Sequence, residues 1–462
     1  MLQARTICRP VDVAAYQSKS RASDYGVFMK IVGSKWSNWS GSVRFRPHKI
    51  VTPKDDVGLA AAVRMAEGHV RFPGNGHSCS PLCETDGTLI DLKAFTGLKG
   101  FDPEREVATI AAATPMWGLG SLLHPLGYAL KTMADVDRQT LGGAVATSTH
   151  GTGRSLGSLS ADVASFRLLA ASGEVIHCSR EENADIYHAG RTSLGLLGVL
   201  TEIDMKVRPV YKLQRQYFLN PIDKLFHQLD GLTRANRHFE FYWFPMSEMA
   251  VCKSLNESEA RAPTRHSART LAARGDRRRG REYVFAAINE AVLAMPGLTG
   301  PLHRFLSRFM PRREKIRWSH EVFPTPRTVR FNEMEYAVPY EKGAEAIREI
   351  AELIRKKKIN TGFPLEFRTV AADDVWLSPY YERESAMIGV HQYYKADTGP
   401  LFDACEAVFR SYGGRPHWGK MHSLRRDEAA VLYPKFEEFR AVRQRLDPKG
   451  KFLNGQLGAL FG

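Results

Sequence analysis

Residues Arg138–Gly153, RQTLGGAVATSTHGTG, together with the shorter run Arg71–Ser78, RFPGNGHS, decide how the rest of the chain is read. The longer run strings small residues (Gly142, Gly143, Ala144, Ala146, Ser148, Gly151, Gly153) among the hydroxyls of Thr140, Thr147, Ser148, Thr149 and Thr152. Small side chains let a flat ligand approach the backbone; the bland alternative is a glycine-rich loop between packed strands. In the shorter run, Gly74 and Gly76 permit backbone angles that aim successive N–H groups into one concavity, a nest for phosphate. A dinucleotide diphosphate is a natural guest, and a tight turn is the plain alternative. Each run ends in a His-containing glycine turn, so together they predict one extended ligand lying across both. No GxGxxG opens a helix after a strand, which argues against a nicotinamide-binding Rossmann unit.

Outward from these runs, residues from Arg46 to about Pro209 alternate short β-rich stretches (VATIAA, SFRLLAA, VLTEIDMKV) with helical ones (DDVGLAAAVRMAEG, TPMWGLGSLLHPLG). That alternation predicts an α+β or α/β unit. Beyond Pro209 come aromatic strand candidates (HFEFYWFPM, TVRFNEMEYAVP, MIGVHQYY) and the helix YEKGAEAIREIAELIRKKK, which predict a second, sheet-containing domain. From about Pro416 the chain returns to helix, with DEAAVLYPKFEEFRAVRQRLD read as helical. The expected division is an N-terminal segment 1–35, a first domain 36–210, a second domain 211–415 with a basic insertion 261–281, and a C-terminal segment 416–462 that rejoins the first domain.

A chain of 462 residues exceeds what one core usually supports, in keeping with two units. No run reaches the roughly 18 apolar residues that would cross a bilayer, and the start lacks a signal-peptide apolar region. Six scattered cysteines make no disulfide scaffold, and Cys79 and Cys83, spaced CxxxC, have no second zinc pair, so no metal is expected. A reduced, cytoplasmic protein is predicted, with membrane association as the alternative.

Much of the excess behind the formal charge of +15 sits in the run between Arg261 and Arg281, read as a solvated loop. The sharper alternative is contact with a polyanion or membrane surface. PLHRFLSRFMPRREKIRW, residues 301–318, spaces basic and large apolar residues as one amphipathic helix would, though Pro311 interrupts it. The stretch 261–317 is thus the candidate for peripheral membrane contact. No nucleic-acid motif accompanies the charge, so no nucleic-acid partner is expected.

Two further patterns carry chemistry. In Glu366-Phe367-Arg368 an extended strand turns both charged side chains to one face and the phenyl ring to the other. A carboxylate and a guanidinium then face one pocket, unless the pair is simply a surface charge pair. The run Pro416–His422, PHWGKMH, holds Lys420 between His417 and His422.

The opening WSNWSG of residues 36–41, PGNGHS, TLGGAVATSTHGTG, GLLGVLTEIDMKVRP, the ExR pair and HWGKMH occur in an order that resembles the FAD-binding vanillyl-alcohol-oxidase and p-cresol-methylhydroxylase (PCMH) type of flavoprotein. The likeness is to its aldonolactone oxidase branch, which includes D-arabinono-1,4-lactone, L-gulono-1,4-lactone and alditol oxidases, and it spans roughly 36–462. It implies an α+β chain: a two-part PCMH-type FAD-binding domain, a sheet-and-helix substrate (cap) domain, and a C-terminal return to the FAD domain. It implies FAD held by Pro73, Gly74, Asn75, Gly76, His77, Ser78, Thr140, Val145, Ser148, Thr149, His150 and Gly151, with Val199 near it and the flavin covalently attached to His77. Ser148 stands where relatives often have glycine.

The resemblance further implies Glu366, Arg368 and Lys420 as catalytic residues and Thr140 and His422 as substrate contacts. Glu366 would orient a substrate hydroxyl, while Arg368 and Lys420 would stabilise negative charge developing as hydride leaves for flavin N5. The implied activity is oxidation of a hydroxyl on an aldonolactone, alditol or related polyol. Reoxidation by O2 would give H2O2; the alternative is a dehydrogenase passing electrons to a quinone or cytochrome.

Overall fold

The computed structural model describes residues 35–261, 283–308, 314–324, 327 and 329–462. The N-terminal segment through residue 34, nearly all of the basic insertion and Pro311 lie outside these residues. The chain is α+β, as expected.

A small parallel sheet takes the strands Lys49–Val51, Thr88–Ile90 and Val70–Arg71, with Thr88–Ile90 in the middle. The helix Asp56–Met65 provides the crossover that parallel strands require, started by the Asp55 carboxylate accepting from Gly58 N. It buries Leu59, Ala60 and Val63 against Val70, Ile90 and Phe452. Next comes an antiparallel sheet in the order Val175–Ser179, Val163–Leu169, Val199–Pro209, Val107–Ala111 and Leu98–Asp102. Tyr128–Leu130 pairs with the end of Val199–Pro209.

The third sheet has eight antiparallel strands, in the order Lys315–Trp318, Lys212–Pro221, Met249–Glu257, His238–Trp243, Leu365–Val370, Ser385–Tyr393, Phe331–Pro339 and Arg415–Pro416. Strict alternation splits its side chains between two faces. Phe241, Phe367, Ile388, Met334 and Tyr336 point to one face, where the helices Gly343–Lys356 and Gly399–Ser411 bury them. Phe241 and Phe367 stack there with centroids 4.9 Å apart. The opposite face carries Glu240, Glu366, Arg368, His391, Glu333 and Glu335, also buried or nearly so. A face this polar is kept from water only because the glycine-rich half of the molecule covers it.

Two local expectations are corrected. DEAAVLYPKFEEFRAVRQRLD is two helices, Arg426–Leu432 and Phe436–Leu446, because Pro434 cannot continue the first. Their apolar faces join the core beside Phe461, Leu141 and Leu194. The stretch 301–318 is not one helix: the helix Thr299–Arg308 ends before Lys315–Trp318, which pairs as an edge strand with Lys212–Arg215. That helix buries Thr299, His303 and Ser307, leaving Arg304, Phe305 and Arg308 exposed.

Candidate active site

The two glycine runs meet. Asn75 Nδ2 donates to Arg138 O at 2.7 Å, and a Cβ on Gly74 would lie 2.7 Å from Thr140 Oγ1, so only glycine allows this approach. Gly76 has φ +69°, a left-handed angle that suits glycine. Thr140 starts the helix Leu141–Val145 by accepting from Gly143 N at 3.3 Å.

Together the runs form one wall of a cleft with about 1590 Å³ between its walls, open mouth included. Pro73 to Ser78, Thr140, Thr149, His150 and Val199 line it, and so do Glu366, Arg368 and Lys420 from the other half. Val145, Ser148 and Gly151 stand behind this wall. Val145 O accepts from Ser160 Oγ, Ser148 Oγ bonds Thr192 Oγ1 at 2.6 Å, and a Cβ on Gly151 would meet Met133 O at 2.6 Å. The buried polar atoms Trp36 Nε1, Gln139 Oε1 and Ser193 Oγ belong to cleft-lining residues yet have no partner among the described residues. Unpaired buried polar groups are costly, so this glycine cradle fits a long polar ligand such as FAD.

His77 stacks on Trp39, centroids 5.7 Å apart, and makes no hydrogen bond to a described residue. Burial, with Lys420 and Arg138 adding positive potential, pulls its pKa down to about 4, so the imidazole is neutral and its nitrogens uncommitted at pH 7. Asn38 fixes the turn from outside, donating to Ser78 O at 2.9 Å and accepting from Val43 N at 3.1 Å.

The facing wall is the charged side of the eight-stranded sheet. Arg368 bonds Glu366 Oε1 at 2.5 Å and Glu240 Oε2 at 3.1 Å, and lies 3.7 Å from Glu335 Oε1. Glu240 also accepts from Lys253 Nζ at 2.6 Å and Tyr242 OH at 2.8 Å. Asp135 Oδ2 receives Arg327 at 2.6 Å. Burial raises the Glu366 carboxyl above its ordinary range, only partly offset by Arg368. Burial would raise Glu333 too, but Lys420 and His391 overturn that and hold it well below the carboxylate range.

Lys420 owes its place to the backbone. His417 N and Met421 N bond Glu335 O and Glu333 O, each at 2.9 Å, while Gly419 O accepts from Cys79 N at 2.7 Å. The HWGK run is thus sewn between the sheet and the GHS turn, and Lys420 pairs with Glu333. Trp418 anchors it, fully buried, donating to Leu377 O at 2.7 Å. His422, expected at the substrate, is instead turned away. Its ring meets Trp418 edge-on, its Nδ1 accepts from Leu424 N, and it does not line the cleft.

His150, Glu335 and His417 place ligand atoms within 4.8 Å of one another, a spacing a metal could use. Hydrogen bonding assigns them otherwise. Gly419 N donates to His417 Nδ1 at 3.0 Å, so the proton of the neutral ring sits on Nε2 and its lone pair is not free. Burial keeps that ring neutral, its pKa near 3.

Comparison with known proteins agrees with this geometry. The D-arabinono-1,4-lactone oxidase family profile matches residues 203–459, and an FAD-binding-domain profile matches 47–179. A protein named L-gulono-1,4-lactone dehydrogenase from Mycobacterium tuberculosis is 34% identical over 430 residues, covering 92% of this chain and 99% of its own. The chain belongs to the D-arabinono-1,4-lactone oxidase family. Family membership makes it an FAD-dependent oxidoreductase acting on CH–OH groups. Bos taurus L-gulonolactone oxidase is 30% identical, covering 93% of this chain and 98% of its own; a Streptomyces alditol oxidase is 26% identical over 90% and 97%. A solved cholesterol oxidase from B. sterolicum shares the fold, with TM-score 0.73 and 16% identity, covering 96% of this chain and 99% of its own.

Sequence reading missed Glu333, Glu335, His391, Glu240, Asp135 and Arg327. A signal existed in FNEMEYAVP, where two acids alternate with apolar residues inside a strand otherwise fit for burial.

Proposed function

We propose that this enzyme oxidises a hydroxyl of an uncharged aldonolactone or polyol, with Glu366, Arg368 and Lys420 at the reacting carbon and FAD covalently joined to His77. The supporting observation is the charged sheet face opposite the glycine cradle, with Glu366 and Arg368 on that face and Lys420 between it and the GHS turn, all three lining one cleft with Pro73–Ser78. FAD, when bound, supplies the hydride acceptor.

The chain supplies orientation and charge. Glu366 accepts the hydrogen bond of the substrate hydroxyl, orients it and takes up its proton. Arg368 and Lys420 stabilise the negative charge that grows on the substrate oxygen as its proton departs, an effect strengthened by exclusion of water. Thr140, whose hydroxyl lies at the junction of the two runs, contacts the cofactor and the substrate. The buried face, capped by the FAD-binding half, keeps water from the reacting atoms. The working division of the chain is an FAD-binding domain 36–210, a cap 211–415 and a returning segment 416–462.

The substrate is uncharged because the cations on the sheet side of the cleft are already matched: Arg368 by Glu366 and Glu240, Lys420 by Glu333, and Arg327 by Asp135. A carboxylate substrate would meet more buried acids than free cations. Covalent attachment rests on the neutral, uncommitted His77 ring.

O2 is the proposed acceptor, giving H2O2. A dehydrogenase reading is favoured by the name of the mycobacterial relative. Exposed Met295, Leu298 and Phe305 beside Arg304 and Arg308 support a peripheral membrane or partner contact there. The described residues include no helix long and apolar enough to cross a membrane.

One preparation tests the core of the reading. The protein is denatured in acid and the peptide carrying His77 is weighed; attached flavin is expected, and flavin released intact removes the covalent role. Turnover of L-gulono-1,4-lactone, D-arabinono-1,4-lactone and an alditol is then followed by H2O2 and by an artificial electron acceptor. Flavin-loaded protein that turns over none of them overturns the substrate class.

A further inference from the structure

Arg71 lines the cleft at 2% exposure, and no carboxylate of the described residues lies within ion-pairing distance of it. Carbonyl oxygens alone hold its guanidinium: Nε donates to Leu82 O at 2.7 Å, one terminal nitrogen to Gly195 O at 3.2 Å and Phe452 O at 2.5 Å, the other to Leu194 O at 2.6 Å. Burial draws its pKa down to about 10, so it remains a cation at neutral pH. Carbonyl dipoles offset part of the cost of burying a charge, and an anion in the cleft would offset the rest. Arg383 and Arg415 are held by carbonyls in a similar way, but neither lines the cleft. Those two need no ligand to explain them.

Two of the carbonyls gripping Arg71, those of Leu194 and Gly195, belong to a strained turn. Leu194 has φ +55°, a left-handed angle unfavourable for a branched side chain, and Gly195 follows at φ +69°. The turn is held by Leu194 N to Ala146 O at 3.1 Å and by the bond between Ser148 and Thr192. Its product is Ser193, a fully buried residue that lines the cleft with no partner for its hydroxyl among the described residues. A fixed cation, an idle hydroxyl and the glycine nest of Gly74 and Gly76 thus line one cavity.

We propose that Arg71 and Ser193 form the diphosphate subsite of the cofactor, Arg71 as the counter-charge and Ser193 as a hydroxyl donor to a phosphate oxygen. This rests on the FAD reading above. Strain at Leu194 is retained because it presents Ser193 to the ligand while giving Arg71 two of its carbonyls.

The test uses the His77→Ala protein, so that affinity is measurable whether or not the native link is covalent. FAD affinity is read by flavin fluorescence, and ADP and adenosine are titrated as competitors. Ser193→Ala removes a hydroxyl that has no internal hydrogen bond to lose, so the melting temperature of the flavin-free protein should not change. FAD and ADP affinity should fall about tenfold, as for loss of a hydrogen bond to a charged group, with adenosine affinity within twofold of the parent. Arg71→Met should weaken ADP at least as much and again spare adenosine; should it fail to fold, Ser193→Ala decides alone. Unchanged ADP affinity in Ser193→Ala, or equal loss for ADP and adenosine, overturns the subsite. A His77→Ala parent that binds no FAD overturns the cofactor reading itself, a result distinct from either.

Discussion

Glu333 stands directly opposite His391 in the antiparallel pairing of Phe331–Pro339 with Ser385–Tyr393, with His391 Nε2 3.5 Å from one of its oxygens while Lys420 occupies the other. One buried carboxylate therefore sets the position of two cleft groups that come from distant parts of the chain.

Removing either partner of Glu333–Lys420 strands a buried charge, which typically costs ~3–5 kcal/mol. Glu333→Gln and Lys420→Met should each destabilise the protein, and the double variant should lose less than the sum. Lys420→Met should also lower kcat/KM by ~10²–10³, the effect of deleting one preorganised electrostatic group. Urea denaturation of the four proteins measures the coupling; strictly additive losses would show that the pair is not coupled.

Gly389 lies opposite both Glu366 and Glu335 and keeps the sheet face open between them. A Cβ there would sit 3.4 Å from Glu366 Cβ and 3.4 Å from His391 Cε1. Gly389→Ala should fold and hold flavin normally yet raise KM several-fold, with kcat changed less. Steady-state kinetics on flavin-matched protein checks this, and an unchanged KM would remove the substrate from that part of the sheet.

Burial holds His303 and His422 near pKa 4, and His238 and His417 near 3. Unfolded, each would titrate near ~6.5. The unfolded chain thus binds more protons between these values, and stability falls as pH falls. The contribution should be complete above about pH 6.5 and decline progressively toward pH 4 to 3. Denaturant titrations between pH 7 and 4.5 should give a slope equivalent to several protons taken up on unfolding; a flat profile would contradict the burial of these rings.

With the cations on its sheet side already paired, the cleft should discriminate against anionic substrates. The open-chain aldonate of a good lactone substrate should show kcat/KM lower by ~10² or more, in line with the cost of burying an unpaired charge. Glu366→Gln, which leaves Arg368 with one fewer carboxylate, should narrow that gap even as it lowers activity on the lactone. Equal turnover of both forms by the parent enzyme would refute the uncharged-substrate reading.

Much of the fold was legible in the sequence because its signals are local. Period-two patterns in HFEFYWF and MIGVHQYY, and the apolar stripe of GAEAIREIAELIRK, mark elements that form wherever one face is buried. The break at Pro434 and the strand Lys315–Trp318 were not legible, because helical periodicity runs on through Pro434 in one case and an edge strand's partner lies elsewhere in the chain in the other. The glycine runs, Glu366 with Arg368, and Lys420 were likewise visible, since each is a short pattern whose chemistry is carried by neighbours in the chain.

What the sequence determined by itself was the inventory: two glycine turns able to cradle a dinucleotide, a strand with two charges on one side, and a lysine beside an anchoring tryptophan. Tertiary structure alone decided which charges meet. Glu333, Glu335, Glu240 and Asp135 read as ordinary acids until strand register and the HWGK stitch bring them against Lys420, Arg368, Lys253 and Arg327. His422 was lost from the site for the same reason, because the backbone turns past Lys420 and directs that ring onto Trp418. Burial and pairing are properties of the assembled sheet, and a carboxylate becomes part of a site only when the fold excludes water and supplies its counter-charge.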